Sequence, residues 1–494
     1  MELQKQRYNL IDEKWIPVSG YGRVSLRDIF SREDLSALGG SPLEKIALLK
    51  FLQAIAQAAH TPSTTDEWLA LGKDTLAQEC LAYLNKCHEA FWLYGSDPFL
   101  QMPVVAKAKT IPCATLQSDI ATGNSSVLFH SQIARPLDDA QKALLLLVTQ
   151  SCCFSGKKVD KNIVLTPGIE KTASAKAGPA LCSKGLLHSF LLGKNIQETI
   201  WLNLLTKENI ATERLYEEGV GIPPWEKMPA GEADDTARSL CRSLMGRLVP
   251  MSRFLLLDGD SVHSVEGIQH PDYLHGGMVD PSVTGDRSSK KPKMIWADPN
   301  KRPWRNLPAL LSFLSHDETS HLRCLQLYWC IPRIRLTSLQ TVTVWSGGIR
   351  LSSNAGEQYL TGKDNLVESE ISFPRDIFKG EGEDWYLAFS KSMEDIEKLG
   401  KIVYSSVSSY YKDEKSTTYE GHAEQASLLF WQMAENQLKN IINFCTDKEE
   451  KDSVFRILRG YVLDCYAQFC PHETARQLQH WAKNRPFSHN KKKI

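Results

Sequence analysis

The chain carries 13 histidines and 12 cysteines, and one segment sets four of them close together as His316-x4-His321-x2-Cys324-x5-Cys330. Imidazole nitrogens and thiolates at such intervals are zinc chemistry. Against that, no C-x2-C pair occurs anywhere in the sequence. Leu322, Leu325, Leu327, Tyr328 and Trp329 fall among the four and read as a packed helix, so Cys324 and Cys330 read as small core hydrophobes. His316, Asp317 and His321 leave open a metal-dependent nuclease. His88-Glu89 and His472-Glu473 read as solvated or capping pairs. There is no glycine-rich phosphate loop, no G-x-S-x-G elbow and no H-E-x-x-H helix. The expectation is a chain that is not an enzyme and holds no metal and no cofactor.

Lysine is the more informative chemistry. Residues 151–194 hold seven lysines against Asp160 and Glu170, a net of +5. Residues 284–305 hold Arg287, Lys290, Lys291, Lys293, Lys301, Arg302 and Arg305 against Asp286 and Asp298, again +5. Both windows fall in glycine- or proline-marked stretches. Cations there suit phosphate backbones, where counterion release supplies affinity, and Gly156 would let backbone approach a groove edge closely. The plain alternative is a pair of solvated loops. Over the whole chain 58 Lys and Arg balance 58 Asp and Glu, so a polyanion must be met locally rather than by a uniformly basic surface.

Those loops need elements to hold them. Tyr8 to Leu26 reads as an N-terminal hairpin turning at Gly20-Tyr21-Gly22. Ser41, Pro42 and Glu44 open a helix with a capping box, and its apolar period runs to Thr61-Pro62. A second helix is expected over 75–94 and a strongly apolar one from Asp138-Asp139 to Cys153. Residues 155–185 and 270–308 read as long loops. Residues 247–268 and 334–346 read as strands. After Pro374 alternation gives way to helical periodicity near 384–411, 420–445, 452–470 and 472–484, an up-down four-helix bundle. The fold expected is α+β: a mixed α/β body over 1–379 with small sheets and long loops, then the bundle over 380–494. No apolar run approaches the roughly 18 residues of a membrane span. The polar N-terminus and scattered cysteines suggest the cytoplasm.

Several short motifs occur in one order. Tyr8-Asn9-Leu10-Ile11-Asp12 and Trp15-Ile16-Pro17-Val18 are followed by Asp97-Pro98-Phe99-Leu100-Gln101, Leu128-Phe129-His130-Ser131-Gln132 and Pro223-Pro224-Trp225-Glu226. Trp304-Arg305-Asn306-Leu307, Gly347-Gly348-Ile349-Arg350, Phe430-Trp431-x3-Glu435 and Cys470-Pro471-x-Glu473-Thr474-x-Arg476 complete the series. Together they resemble the CasA family, the large subunit of the type I-E Cascade complex of CRISPR immunity.

The resemblance implies a non-catalytic subunit that reads the protospacer-adjacent motif on double-stranded DNA, helps open the duplex and recruits a helicase-nuclease. Its partners would be the DNA target, the guide RNA and the other Cascade subunits, with no membrane. The loop that anchors such a subunit at the guide's 5′ end matches Phe129, His130 and Ser131. The family's glycine loop matches Phe154, Ser155, Gly156, Lys157 and Lys158, with Lys161 beyond; one glycine followed by lysines replaces several glycines. The duplex wedge falls at Ser352, Ser353 and Asn354, where a glutamine would be the closer match. Lys290, Lys291 and Lys293 form a secondary basic loop. A lysine finger belongs within 263–277, where no lysine occurs; either His263, His270 or His275 stands in, or the role is missing from this chain. A helical protein-binding scaffold without DNA contact is the alternative.

Overall fold

The computed structural model describes residues 6–117, 136–152, 160, 162–167, 185–212, 216–268, 270, 280–286, 293–315, 322–354, 357–359, 366–378, 382–446 and 450–488. The chain forms two compact units, one of residues 1–313 with 318–375 and one of residues 314–317 with 376–494. The α+β class is as the sequence predicts: helices with several two- and three-stranded sheets, then an all-helical C-terminal region.

The first unit is organised on the helix Pro42–Ala59. Ser41 and Glu44 form the expected capping box, with Pro42 at its first turn. Leu43, Ile46, Leu48, Leu49, Phe51, Leu52 and Ile55 are all buried, so apolar residues cover every side of this helix. A helix apolar all round belongs in the middle of a fold, and each fully buried Leu, Ile or Phe adds about 1.5–3 kcal/mol. It packs on the helices Thr65–Lys86, Asp139–Ser151 and Ile196–Asn203 and on the strand Thr341–Ile349. That strand is central in an antiparallel sheet between Leu366–Pro374 and His188–Leu192.

Local chemistry explains where the sequence reading shifts. The second helix starts at Thr65 rather than 75, because the Thr64 side chain caps it; a left-handed Gly72 (φ 62°) kinks it within that early stretch. It ends at Lys86, and Trp92–Tyr94 is a strand pairing with Arg7–Asn9. The hairpin proper is Ile16–Val18 with Gly22–Val24. In 334–346 a helix, Leu325–Ile334, reaches the first residue before the strand begins at Thr341. The strands of 247–268 are Arg253–Asp258 and Ser261–Glu266, turning at a left-handed Gly259. The proline-marked 270–308 region is not all loop: Lys293–Met294, Thr284–Asp286 and Leu322–Cys324 form a sheet.

In the second unit the helix Gly382–Asp413 carries Phe389, Ile396, Val403 and Tyr410 at seven-residue spacing, all buried. It packs on Tyr419–Glu435, Lys451–Phe469 and Ala475–Asn484. At Gly400 a side chain's first carbon would lie 3.1 Å from the Trp431 indole, so glycine permits the close approach of the first two helices. The single helix expected over 420–445 is two, Tyr419–Glu435 and Leu438–Phe444. The Asn436 N–H turns back to the Met433 carbonyl at 3.2 Å, and the Gln437 side chain donates to the Tyr461 hydroxyl at 3.0 Å. The unit therefore shows five helices among the described residues rather than four.

Candidate nucleic-acid interface

The Gly347-Gly348 motif is explained by what presses on it. A first side-chain carbon at Gly348 would sit 2.6 Å from the Leu186 carbonyl oxygen and 3.0 Å from the Ala297 Cβ. Gly185 has φ +74° and lies against the Ile349 carbonyl, so it too excludes a side chain. The Ala297 N–H donates to the Gly185 carbonyl at 2.8 Å and the Leu187 N–H to that of Ile295 at 3.0 Å. Leu187, Ala297 and Val367 form a small apolar core, with Ile295 packed against it. Three chain segments separated in sequence thus meet: the C-terminal part of the first lysine window, the middle of the second, and the strand running into 352–354.

Beyond this junction Ser352–Asn354 pairs antiparallel with Glu357–Tyr359, in the register Ser352 to Tyr359, Ser353 to Gln358 and Asn354 to Glu357. The expected wedge positions are therefore one strand of a hairpin. Its other strand carries a glutamine opposite Ser353, which the sequence reading missed. The strands beneath are fastened from the side: Glu368 accepts from Lys45 Nζ at 2.7 Å and from Trp345 Nε1 at 3.0 Å, and Arg302 donates to its carbonyl at 3.3 Å.

Phe129, His130, Ser131, Phe154, Ser155, Gly156, Lys157, Lys158, Lys161, Lys290 and Lys291 lie outside the described residues. What flanks residues 153–159 is firmly placed. The helix Asp139–Ser151 ends in buried Cys152, whose N–H donates to the Val148 carbonyl. Asp160 donates from its N–H to the Ser264 carbonyl at 2.9 Å and accepts from the N–H of Lys109 and of Asn162. Downstream, the Glu232 carboxylate accepts from the N–H groups of Leu165 and Thr166. Lys293 is described, exposed, on a strand opposite Asp286.

Two of the three histidines expected in place of a lysine finger cannot serve as one. His263 is buried on its strand and its Nδ1 donates to the Ala108 carbonyl at 2.7 Å. His270 is 1% exposed, with Nε2 donating to the Pro250 carbonyl at 2.6 Å and Nδ1 accepting from Arg247 at 2.8 Å. Burial, then the Arg247 charge, push its pKa down to about 3 and hold the ring neutral. His275 lies outside the described residues. A second buried network follows at Asp280, which pairs with Lys50 from the central helix and accepts from the Ser282 hydroxyl at 2.6 Å. Burial works to raise this carboxyl, but Lys50 and His188 outweigh it and hold its pKa at about 2.

The sulfur groups point away from metal chemistry. Cys324 Sγ donates to the Pro281 carbonyl, while Cys330 Sγ accepts from Gln326 and Arg333. Both thiols are fully buried, and burial raises both, Cys324 to about 12. A thiol that resists ionisation is a poor zinc ligand. His316 and His321 lie outside the described residues, and no group of three or more His, Cys, Asp or Glu able to hold a metal occurs among the described ones. No described helix is long and apolar enough to cross a membrane.

A sequence model of the family described as CRISPR-associated protein Cse1 matches residues 9–465. The CRISPR-associated protein CasA/Cse1 of Thermus thermophilus is 28% identical over 332 residues, spanning 62% of this chain and 60% of that relative's own length. The solved structure of Thermobifida fusca Cse1 shares the fold with a TM-score of 0.73 at 18% identity, covering 97% of each chain. A chain of a CRISPR RNA-guided surveillance complex does so with a TM-score of 0.70 at 16% identity, covering 97% of this chain and 99% of that one. The family match over residues 9–465 covers most of the chain, and the solved structures share its mixed body and helical C-terminal region, so the chain belongs to the CRISPR-associated Cse1 family.

Proposed function

We propose that the chain is the large subunit of an RNA-guided surveillance complex, where it reads a short motif flanking the target on duplex DNA. The observation that carries this reading is the junction of Gly185, Ala297 and Ile349. It ties the hairpin Ser352–Asn354/Glu357–Tyr359 to residues within both lysine-rich windows. A hairpin fixed at its base beside two cationic segments suits a duplex end: the cations hold phosphates, and the hairpin enters between base pairs. Pairing to the guide RNA then reads the remaining sequence, as in other RNA-guided systems. Phe129, His130 and Ser131 hold the guide's 5′ end, and the other subunits complete the complex. Cutting is left to a helicase-nuclease that the opened duplex recruits, so the subunit itself is not catalytic.

Gln358 is the wedge residue this reading selects, with Ser352, Ser353 and Asn354 supporting it from the paired strand. In the assembled complex, Gln358→Ala will lower permanganate reactivity of target thymines next to the motif about tenfold, as the wedge no longer offsets part of the few kcal/mol needed to unstack a base step. Binding of the closed duplex will change much less. Unchanged thymine reactivity would remove the hairpin from the opening step.

A further inference from the structure

Twelve tryptophans occur in the chain, and Trp296 alone is exposed, at 39%. Its placement follows from strand alternation. Ile295 and Ala297 turn inward to the small core with Leu187 and Val367, so the residue between them turns outward. A bridge to Leu186 fixes its backbone, and bonds on both sides, Leu187 to Ile295 and Ala297 to Gly185, keep the segment rigid. The indole has no hydrogen-bond or ring partner among the described residues, whereas buried Trp15, Trp68, Trp201 and Trp345 each donate from Nε1.

The stretch of chain that carries it is cationic. Lys293 is exposed three residues earlier, and Lys301, Arg302 and Arg305 follow. Arg350, at the foot of the hairpin, has a side chain 54% exposed and reaches to 3.9 Å from the Asp298 carboxylate. Across residues 293–305 with Arg350 there are five cations and one carboxylate, a net of +4. A lone exposed apolar residue needs no explanation. An outward indole held by backbone bonds on both sides, in a segment of chain rich in cations, does, and it has the two parts of a single-strand site: a π-face for a base and charge for the backbone.

We infer that Trp296 is a stacking platform for an unpaired nucleobase, with Lys293 and Arg350 on the adjoining phosphates. The ligand class is single-stranded DNA, and the inference rests on the DNA-recognition role proposed above. A duplex offers no free base face, so this site acts only after opening.

The test uses the full-length chain and a labelled oligothymidylate with no complement in any guide, read by fluorescence anisotropy across a salt series. Trp296→Ala will weaken binding about tenfold without changing the salt slope, because stacking carries no charge. Trp296→Phe will restore most of the affinity, since a ring remains. Lys293→Ala will lower the salt slope by about one. Equal affinity of Trp296→Ala and the natural chain would overturn the inference, as would loss of assembly with other subunits while oligothymidylate binding is kept. Motif-duplex binding by the complex is measured alongside. Its absence in the natural complex would sink the proposed function, whereas its presence beside an inert Trp296 would sink only this inference.

Discussion

Replacing Lys157 and Lys158 together by alanine will weaken binding of motif-bearing duplex to the assembled complex about 30-fold at about 0.15 M salt. Each lysine on a phosphate contributes close to 0.9 to the slope of log affinity against log salt, so removing two lowers that slope by about 1.8. The change should be uniform across flanking sequences, because phosphate contacts hold register without reading bases. Asp160 and Cys152, which bracket the segment, are bound to Ser264 and Val148, so the substitutions leave the supporting structure intact. Filter binding or anisotropy at several salt concentrations measures this. Normal binding with an unchanged slope would favour the protein scaffold over a DNA reader.

The largest stability effect is expected at the buried pair of the first unit. Lys50 is 1% exposed and Asp280 has no accessible side chain. Lys50→Met leaves the carboxylate buried without its cation, which costs about 3–5 kcal/mol. Asp280→Leu added to Lys50→Met will recover most of that loss, because both charges are then gone and the volume stays apolar. Chemical denaturation of the full chain measures both variants. The same pair sets an acid limit. Asp280 titrates at about 2 in the folded chain, below its ordinary 3.8, so its contribution is complete above about pH 4 and disappears as pH falls through 2.

Local signals carried much of this fold. The capping box at Ser41 and Glu44, and the seven-residue spacing from Phe389 to Tyr410, can be read because helix ends and faces are written within a few residues. What escaped depends on partners distant in the chain. Arg7–Asn9 becomes a strand only by pairing with Trp92–Tyr94. Lys293–Met294 is two residues long and exists only against Thr284–Asp286, so prolines around it read as loop. The same holds for the site. Ser352, Ser353 and Asn354 were placed by the Gly347-Gly348 motif, but Gln358 is found only from cross-strand register. Trp296 is marked by exposure, which no spacing reveals. Lys50 did leave a sign, a single lysine inside an otherwise apolar stretch, yet its partner Asp280 is 230 residues away.

The central claim is that this subunit, through a few local contacts on an electrically balanced chain, supplies recognition of the sequence flanking a target. The direct measurement presents one target to the assembled complex with every possible flanking triplet, with and without this chain. The expected result is enrichment of several related triplets, because the glycine loop at Gly156 is proposed to enter the minor groove, where A·T is distinguished mainly from G·C and by groove width, and loss of that enrichment when the chain is omitted. Binding that is blind to the flank with the chain present, or equally selective without it, would contradict the account.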